Sequence, residues 1–292
     1  MQEKEYNGNR VIIMTCSDCN TNCKHCYISY KGNFNAEELY KICTELSNQY
    51  WVQLNGTELL LHQDYFKSLK LVKQNFLLTN GIQFYRKPEL IEEIAHIGIK
   101  YVGMSYHFGI HNNISSVSQK IVEDNIPKLS EAGIVADMRV TITRDNLELI
   151  PEMCKKTIEL GAKRIKFTNY MLMGAAEALT PNNVLQENDL KRFFEILEQE
   201  RKKYPMEVLR IRRCGTFGND CNGRKCNFNC PAGRNSVVMT PDFNIYPCIF
   251  LTKPGYEIGK MIDGKIIIFR DVQNDGSKCL AKEVNNNGFK IF

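Results

Sequence analysis

The chain has 292 residues, 43% of them hydrophobic and 24% charged, which excludes a disordered or fibrous protein and suits one large domain with a small appendage. A net charge of +5 permits an acidic partner without demanding nucleic acid. No apolar run approaches the ~20 residues of a membrane span, and the polar start MQEKEYNGNR is no secretory signal, so a cytoplasmic protein without membrane or nucleic-acid partners is expected. Twelve cysteines are the abnormal feature. In such a chain, clustered cysteine points to metal rather than disulfides.

In chain order, strands are expected at Arg10–Thr15, Trp51–Leu54, Asn75–Leu78, Tyr101–Tyr106, Ala136–Ile142 and Arg164–Tyr170. Helical periodicity fills the intervals near 36–49, 64–73, 87–97, 116–131 and 148–160, and a further helix spans 187–204. Three of these helices end in Gly98, Gly133 and Gly161, each placed for a left-handed C-cap with a strand just beyond. Repeated strand–helix units imply a parallel sheet, and six of them imply an α/β fold, an open partial (β/α)6 barrel. After residue 205 the pattern changes to short strands and turns, with a hairpin at Pro241-Asp242-Phe243-Asn244. Two domains are therefore expected, 1–205 and 206–292.

Nine cysteines fall into two groups. In the first, Cys19, Cys23 and Cys26 have the spacing C-x3-C-x2-C in a polar loop after the first strand, the end of a barrel where active sites are built. Three thiolates from one short loop can hold three irons of a [4Fe–4S] cluster and leave the fourth iron open. The alternative is structural zinc, with Cys16 as fourth ligand.

This loop, its position after strand one and the aromatic Tyr27 that follows it resemble the radical S-adenosylmethionine (SAM) superfamily. The resemblance covers roughly residues 10–180. It implies that Cys19, Cys23 and Cys26 bind the cluster, that SAM chelates the open iron, and that Cys16 is a spare, buried thiol. Asn55-Gly56-Thr57-Glu58, after strand two, resembles the family's Gly-Gly-Glu-Pro motif, with Asn55 and Leu59 as departures. There Glu58 would accept from the methionyl ammonium. Ser105 occupies the ribose-contacting position, with His107 where an Asp is usual; Arg139 would contact SAM, and Tyr170 would lie near its adenine.

In the second group, Cys230-Pro-Ala-Gly and Phe243-Asn-Ile-Tyr-Pro-Cys248 are similar to the opening of the family's auxiliary-cluster domains, named SPASM in full and twitch when truncated. Phe243 stands where the family has Gly, and Asn244 is expected to take the left-handed turn position. The resemblance implies one auxiliary iron–sulfur cluster in 206–292, a small hairpin-containing domain. Its ligands would be Cys230 and Cys248, with Cys226 or Cys221 and Cys279 completing the set. A zinc knuckle of Cys214, Cys221, Cys226 and Cys230 is the alternative.

The implied function is reductive cleavage of SAM to a 5′-deoxyadenosyl radical that abstracts hydrogen from a ribosomally made peptide, giving a crosslink, thioether or epimer. The electron would come from a donor such as flavodoxin or ferredoxin. No catalytic side chain is assigned, and no leader-binding domain is expected before residue 10. A small-molecule radical dehydrogenase or cofactor-biosynthesis enzyme is the alternative within enzymes. A zinc-binding structural protein is the alternative outside them.

Overall fold

The computed structural model describes residues 3–178, 183–217 and 229–287. Its strands are β1 (Lys4–Glu5), β2 (Arg10–Met14), β3 (Trp51–Asn55), β4 (Phe76–Thr79), β5 (Tyr101–Ser105), β6 (Val135–Ile142), β7 (Arg164–Asn169), β8 (Arg210–Arg213), β9 (Ser236–Met239), β10 (Asn244–Tyr246), β11 (Gly259–Ile262) and β12 (Lys265–Ile268). Its helices are α1 (Ala36–Leu46), α2 (Phe66–Leu71), α3 (Ile82–Arg86), α4 (Glu89–His96), α5 (His111–Ile114), α6 (Gln119–Glu131), α7 (Ile150–Glu159), α8 (Glu187–Lys203) and α9 (Leu280–Asn287). Among the described residues, no helix is long and apolar enough to cross a membrane.

The chain forms two compact units. One contains the segment up to Asn20, Tyr27–Gln74 and the C-terminal segment from residue 229; the other contains Thr21–Cys26 and the described residues from Asn75 to Phe217. In the first, a seven-stranded sheet runs β1-β12-β11-β10-β9-β2-β3. Here β2 pairs in parallel with β3 on one side and β9 on the other, Ile13 lying opposite Leu54 and Met239. Strands β9 to β12 and β1 pair antiparallel. A single boundary near residue 205 is expected from the sequence, whereas these units interleave along the chain. The parallel pairing of β9 with β2 is what joins the C-terminal segment to the N-terminal strand.

The second unit carries a wholly parallel sheet in chain order, β4-β5-β6-β7-β8. Strand side chains alternate between faces. Val102, Met104, Met138, Val140, Ile165 and Phe167 are buried on one face, and the Phe167 ring meets Phe193 of α8 edge-on at 6.1 Å, which marks that face as the helix side. Helices α4, α6 and α7 bury Ile94, Val122, Leu129 and Met153. All six expected strands form, divided between the two sheets. Strand β8 is an addition: Arg210-Ile-Arg-Arg213 has too little apolar character to signal a strand, and it forms because β7 supplies a paired edge.

Local signals fare well where geometry is local. Asn35 Oδ1 caps α1 by accepting from the Glu37 N–H at 2.9 Å. Gly98, Gly133 and Gly161 have φ of +104°, +74° and +82°. Beyond each, a backbone N–H closes the helix end: Ile99 to Ile94 O, Ile134 to Leu129 O and Ala162 to Thr157 O, at 3.0, 2.8 and 3.0 Å. The hairpin turn needs one correction, because Phe243 rather than Asn244 takes the left-handed position, with φ +63°. Asn244 is the first residue of β10 and its backbone pairs there, so the strained position falls one residue earlier. Edge-on packing of Phe243 against Phe34 at 5.6 Å offsets that strain.

No atom lies within 4 Å of where a Cβ on Gly133 would be, so its cost there is backbone strain alone. Gly133→Ala should lose about 1–2 kcal/mol of stability, and Gly133→Asn less. Thermal melts of the two variants beside wild type check this order.

Candidate functional site

In the unit with the parallel sheet, Thr21–Cys26 is tied to the loops that follow the strands. Lys24 N–H donates to Ile114 O at 3.0 Å, and Ala175 N–H, beyond β7, donates to Cys26 O at 2.8 Å. Cys23 Sγ accepts from the Ser116 N–H at 3.3 Å.

Three of the chain's five histidines gather at this point, and their hydrogen bonds fix each proton. Thr141 N–H donates to His107 Nδ1 at 3.0 Å, leaving the His107 proton on Nε2. That proton faces His25 Nε2 at 3.1 Å, so the His25 proton sits on Nδ1 and is donated to Ile114 O at 2.9 Å. His107 N–H in turn donates to His111 Nδ1 at 3.0 Å, and His111 Nε2–H donates to Val117 O at 2.9 Å. Every ring nitrogen has a partner only while all three rings are neutral. Burial pushes His107 well below the usual imidazole value and lowers His25 and His111 as well. The result is a relay of neutral rings holding the cysteine segment to the ends of β5 and β6.

The same unit places Ser105 beside Arg139 in register on the sheet face away from the helices. Arg139 passes over Gly103, where a Cβ would lie 2.9 Å from its Nε, and its Nη2 meets Asp137 at 2.9 Å. Tyr170 is buried among Ala176, Val184 and Leu172.

The other unit holds Cys19, Tyr27 and the Asn55–Glu58 segment. That segment is laced to the stretch after β2: Thr15 N–H donates to Asn55 O, Thr57 N–H to Cys16 O and Glu58 N–H to Asp18 O, at 2.6, 2.9 and 3.1 Å. Gly56 is required by this contact, since a Cβ would stand 2.7 Å from Cys16 Sγ and 2.9 Å from Thr15 Oγ1. Cys16 is fully buried, and burial pushes its thiol pKa up. Glu58 is fully buried too, with Oε1 accepting from the Leu60 N–H at 3.3 Å. The Thr57 hydroxyl is buried without a hydrogen-bond partner among the described residues, which leaves one polar group for a ligand to satisfy. The Tyr27 ring packs against Phe250 at 4.7 Å.

Cys230, Cys248 and Cys279 also lie in this unit. Cys230 N–H donates to Gly276 O at 2.9 Å and Asn274 Nδ2 to Ala232 O at 2.8 Å, which brings the segment before Cys279 onto Cys230-Pro-Ala-Gly. Cys248 precedes a short turn at Ile249–Leu251. Cys214 belongs to the parallel-sheet unit, and Cys221 and Cys226 lie outside the described residues. Among the described residues, no three His, Cys, Asp or Glu side chains stand close enough to hold a single ion. A cluster spreads its thiolates more widely than an ion does.

No family model matches the chain. It is similar to the antilisterial bacteriocin subtilosin biosynthesis protein AlbA of Bacillus subtilis, 22% identical over 256 residues, or 80% of this chain and 53% of that protein. Pre-heme d1 synthase of Dinoroseobacter shibae is 26% identical over 174 residues, 53% of this chain and 42% of its own. The chain thus spans about half the length of these curated relatives. In fold it matches Streptococcus suis SuiB bound to its precursor peptide SuiA, with TM-score 0.67, 16% identity and 96% of this chain aligned to 65% of that one. It also matches anSMEcpe with bound AdoMet, with TM-score 0.67, 18% identity and 86% aligned to 77%. These likenesses show a shared fold with SuiB and anSMEcpe and a sequence similarity to AlbA and pre-heme d1 synthase. The chain's partial-barrel fold is the one expected from the order of strands and helices.

His25, His111 and Ser116 were not legible as site residues. His25 sits inside the cysteine spacing, and His107 and His111 lie four apart, but nothing local says that they meet. Because an unfolded histidine titrates near 6.5 and these are held lower, the unfolded chain takes up protons first on acidification. Stability from the buried neutral rings of His107 and His111 is therefore full above about pH 6.5 and falls below it, by at most about 1.4 kcal/mol per pH unit for each. Melts across this range should show the loss, and His107→Gln should flatten it.

Proposed function

We propose that this chain reductively cleaves SAM and uses the resulting radical to modify a ribosomally made peptide. The observation that carries this is the Cys19–Cys26 loop following β2, its Cys23 and Cys26 anchored where β5 and β7 end. Cys19, Cys23 and Cys26 would hold a [4Fe–4S] cluster there, which once reduced would supply the one electron needed for cleavage of SAM to methionine and a 5′-deoxyadenosyl radical.

The protein's part is binding and exclusion. Cys19, Cys23 and Cys26 hold the cluster, with the Ser116 N–H supporting Cys23. Gly56 allows backbone approach, Thr57 offers its hydroxyl and Glu58 faces the methionyl ammonium. Ser105, Arg139, Tyr27 and Tyr170 complete the SAM contacts. The segment from residue 229 onward is the twitch-like part, and its Cys230 and Cys248, with Cys279 and with Cys226 or Cys221, would hold an auxiliary cluster. A peptide substrate is supported by SuiB, solved with its precursor peptide, by anSMEcpe, solved with AdoMet and the Cp18Cys peptide, and by AlbA, named for biosynthesis of a bacteriocin. A small flavodoxin or ferredoxin is the proposed electron donor.

Anaerobic reconstitution should load about eight iron with sulfide per chain, two four-iron clusters. Replacing Cys19, Cys23 and Cys26 together by Ala should halve the iron and abolish 5′-deoxyadenosine. Cys230→Ala with Cys248→Ala should also halve the iron yet keep cleavage. Zinc without sulfide, or undiminished cleavage by the triple variant, would overturn the reading.

Glu58→Gln keeps an acceptor for Leu60 N–H and removes the charge. SAM binding should weaken by about 1.5–3 kcal/mol, the range for a charge-assisted bond, with the melting temperature little changed. Equilibrium dialysis measures the first and a thermal melt the second.

A further inference from the structure

The face of the parallel sheet turned away from the helices carries an unbalanced row of cations. Register places Arg139 of β6 beside Lys166 of β7, and Lys166 beside Arg212 of β8. One step back along the strands, Asp137 lies beside Arg164. With Arg210 of β8 beside Arg164, five cations therefore share this face with one carboxylate. Asp137 is only 1% exposed, and a single oxygen, Oδ2, meets Arg139 at 2.9 Å, Arg164 at 4.0 Å and Arg212 more closely still.

That carboxylate is not enough. The Nε groups of Arg139, Arg164 and Arg212 are buried without acceptors among the described residues. Burial lowers the pKa values of both Lys166 and Arg212. Like charges directly opposite on neighbouring strands repel, and burying a cation without a partner is costly. A solvated charged surface does not account for side chains that are 24%, 13% and 30% exposed at Arg139, Arg164 and Arg212. A purely structural ion network would carry matching carboxylates. The row also lies just before the strand ends, where His107 ties the cysteine segment to Thr141.

We propose that Lys166 and Arg212 form a subsite for a carboxylate of the peptide substrate, either an acidic side chain or the C-terminal carboxylate. This deepens the peptide-modifying reading and rests on it, but its test needs neither cluster nor SAM cleavage. Planar guanidinium groups suit a carboxylate, and the bound anion satisfies the unmet N–H groups.

The experiment uses the full chain with Lys166→Met, Lys166→Arg and Arg212→Met, at constant ionic strength. The probes are N-acetyl-glutamate methylamide for an acidic side chain, N-acetylglycine for a chain terminus, and N-acetyl-glutamine methylamide as the uncharged control. Wild type should bind one or both carboxylates and not the control, and the preferred probe names the source. Lys166→Met should melt no lower than wild type, because one of a row of like charges is gone, while binding the probe at least tenfold more weakly. Lys166→Arg should restore binding. SAM affinity should stay within twofold in both Lys166 variants. If Arg212→Met does not fold, the Lys166 pair decides alone. Absence of carboxylate binding in wild type, equal binding by Lys166→Met, or a tenfold loss of SAM affinity in that variant each overturns the proposal. Failure of SAM cleavage alone would leave the subsite standing and remove the peptide reading.

Discussion

Parallel strand pairing is the constraint on which the rest depends. Two parallel neighbours cannot be joined by a tight turn, so each needs a crossover, and every crossover leaves from the same edge of the sheet. In β4 to β8 this delivers the segments after β5, β6 and β7 to one edge, where Thr21–Cys26 is bound. In the other sheet the same rule places the segments after β2 and β3 together, so Asn55–Glu58 can bond to Cys16 and Asp18. Loops that carry chemistry are gathered by the pairing rather than by their own affinity.

The two faces of the parallel sheet then divide the work. Phe167, Met138 and Val140 bury apolar surface against helices and stabilise the unit. The opposite face holds Asp137, Arg139, Lys166 and Arg212, which stability alone would not select. The histidine relay is similarly costly to bury and is kept because each polar atom is matched. Polar groups are thus tolerated at the strand ends on two terms: complete pairing at the histidines, and an open demand for an anion in the cation row.

Much of this was readable along the chain. The three helix-ending glycines lie where the strand–helix alternation needs them, because a left-handed C-cap is a local demand. The cysteine spacing, with its place after the first strand, carried the resemblance to the radical SAM superfamily. The turn at Phe243 was misread by one position, because the pairing of Asn244 with β11 decides which residue is left over. The short helix α3 escaped notice as well, since five residues give no periodicity to read.

By itself the sequence determined the six strands β2 to β7, the longer helices between them, the three glycine caps, and the candidate ligands Cys19, Cys23 and Cys26. Those depend on residues near one another in the chain. Only the tertiary structure decided that β9 lies beside β2, that His25 meets His107 across 82 residues, and that Arg139, Lys166 and Arg212 share one row. The reason is register. Which residue stands opposite which on strands far apart in sequence depends on how the intervening helices pack, and no local pattern encodes that.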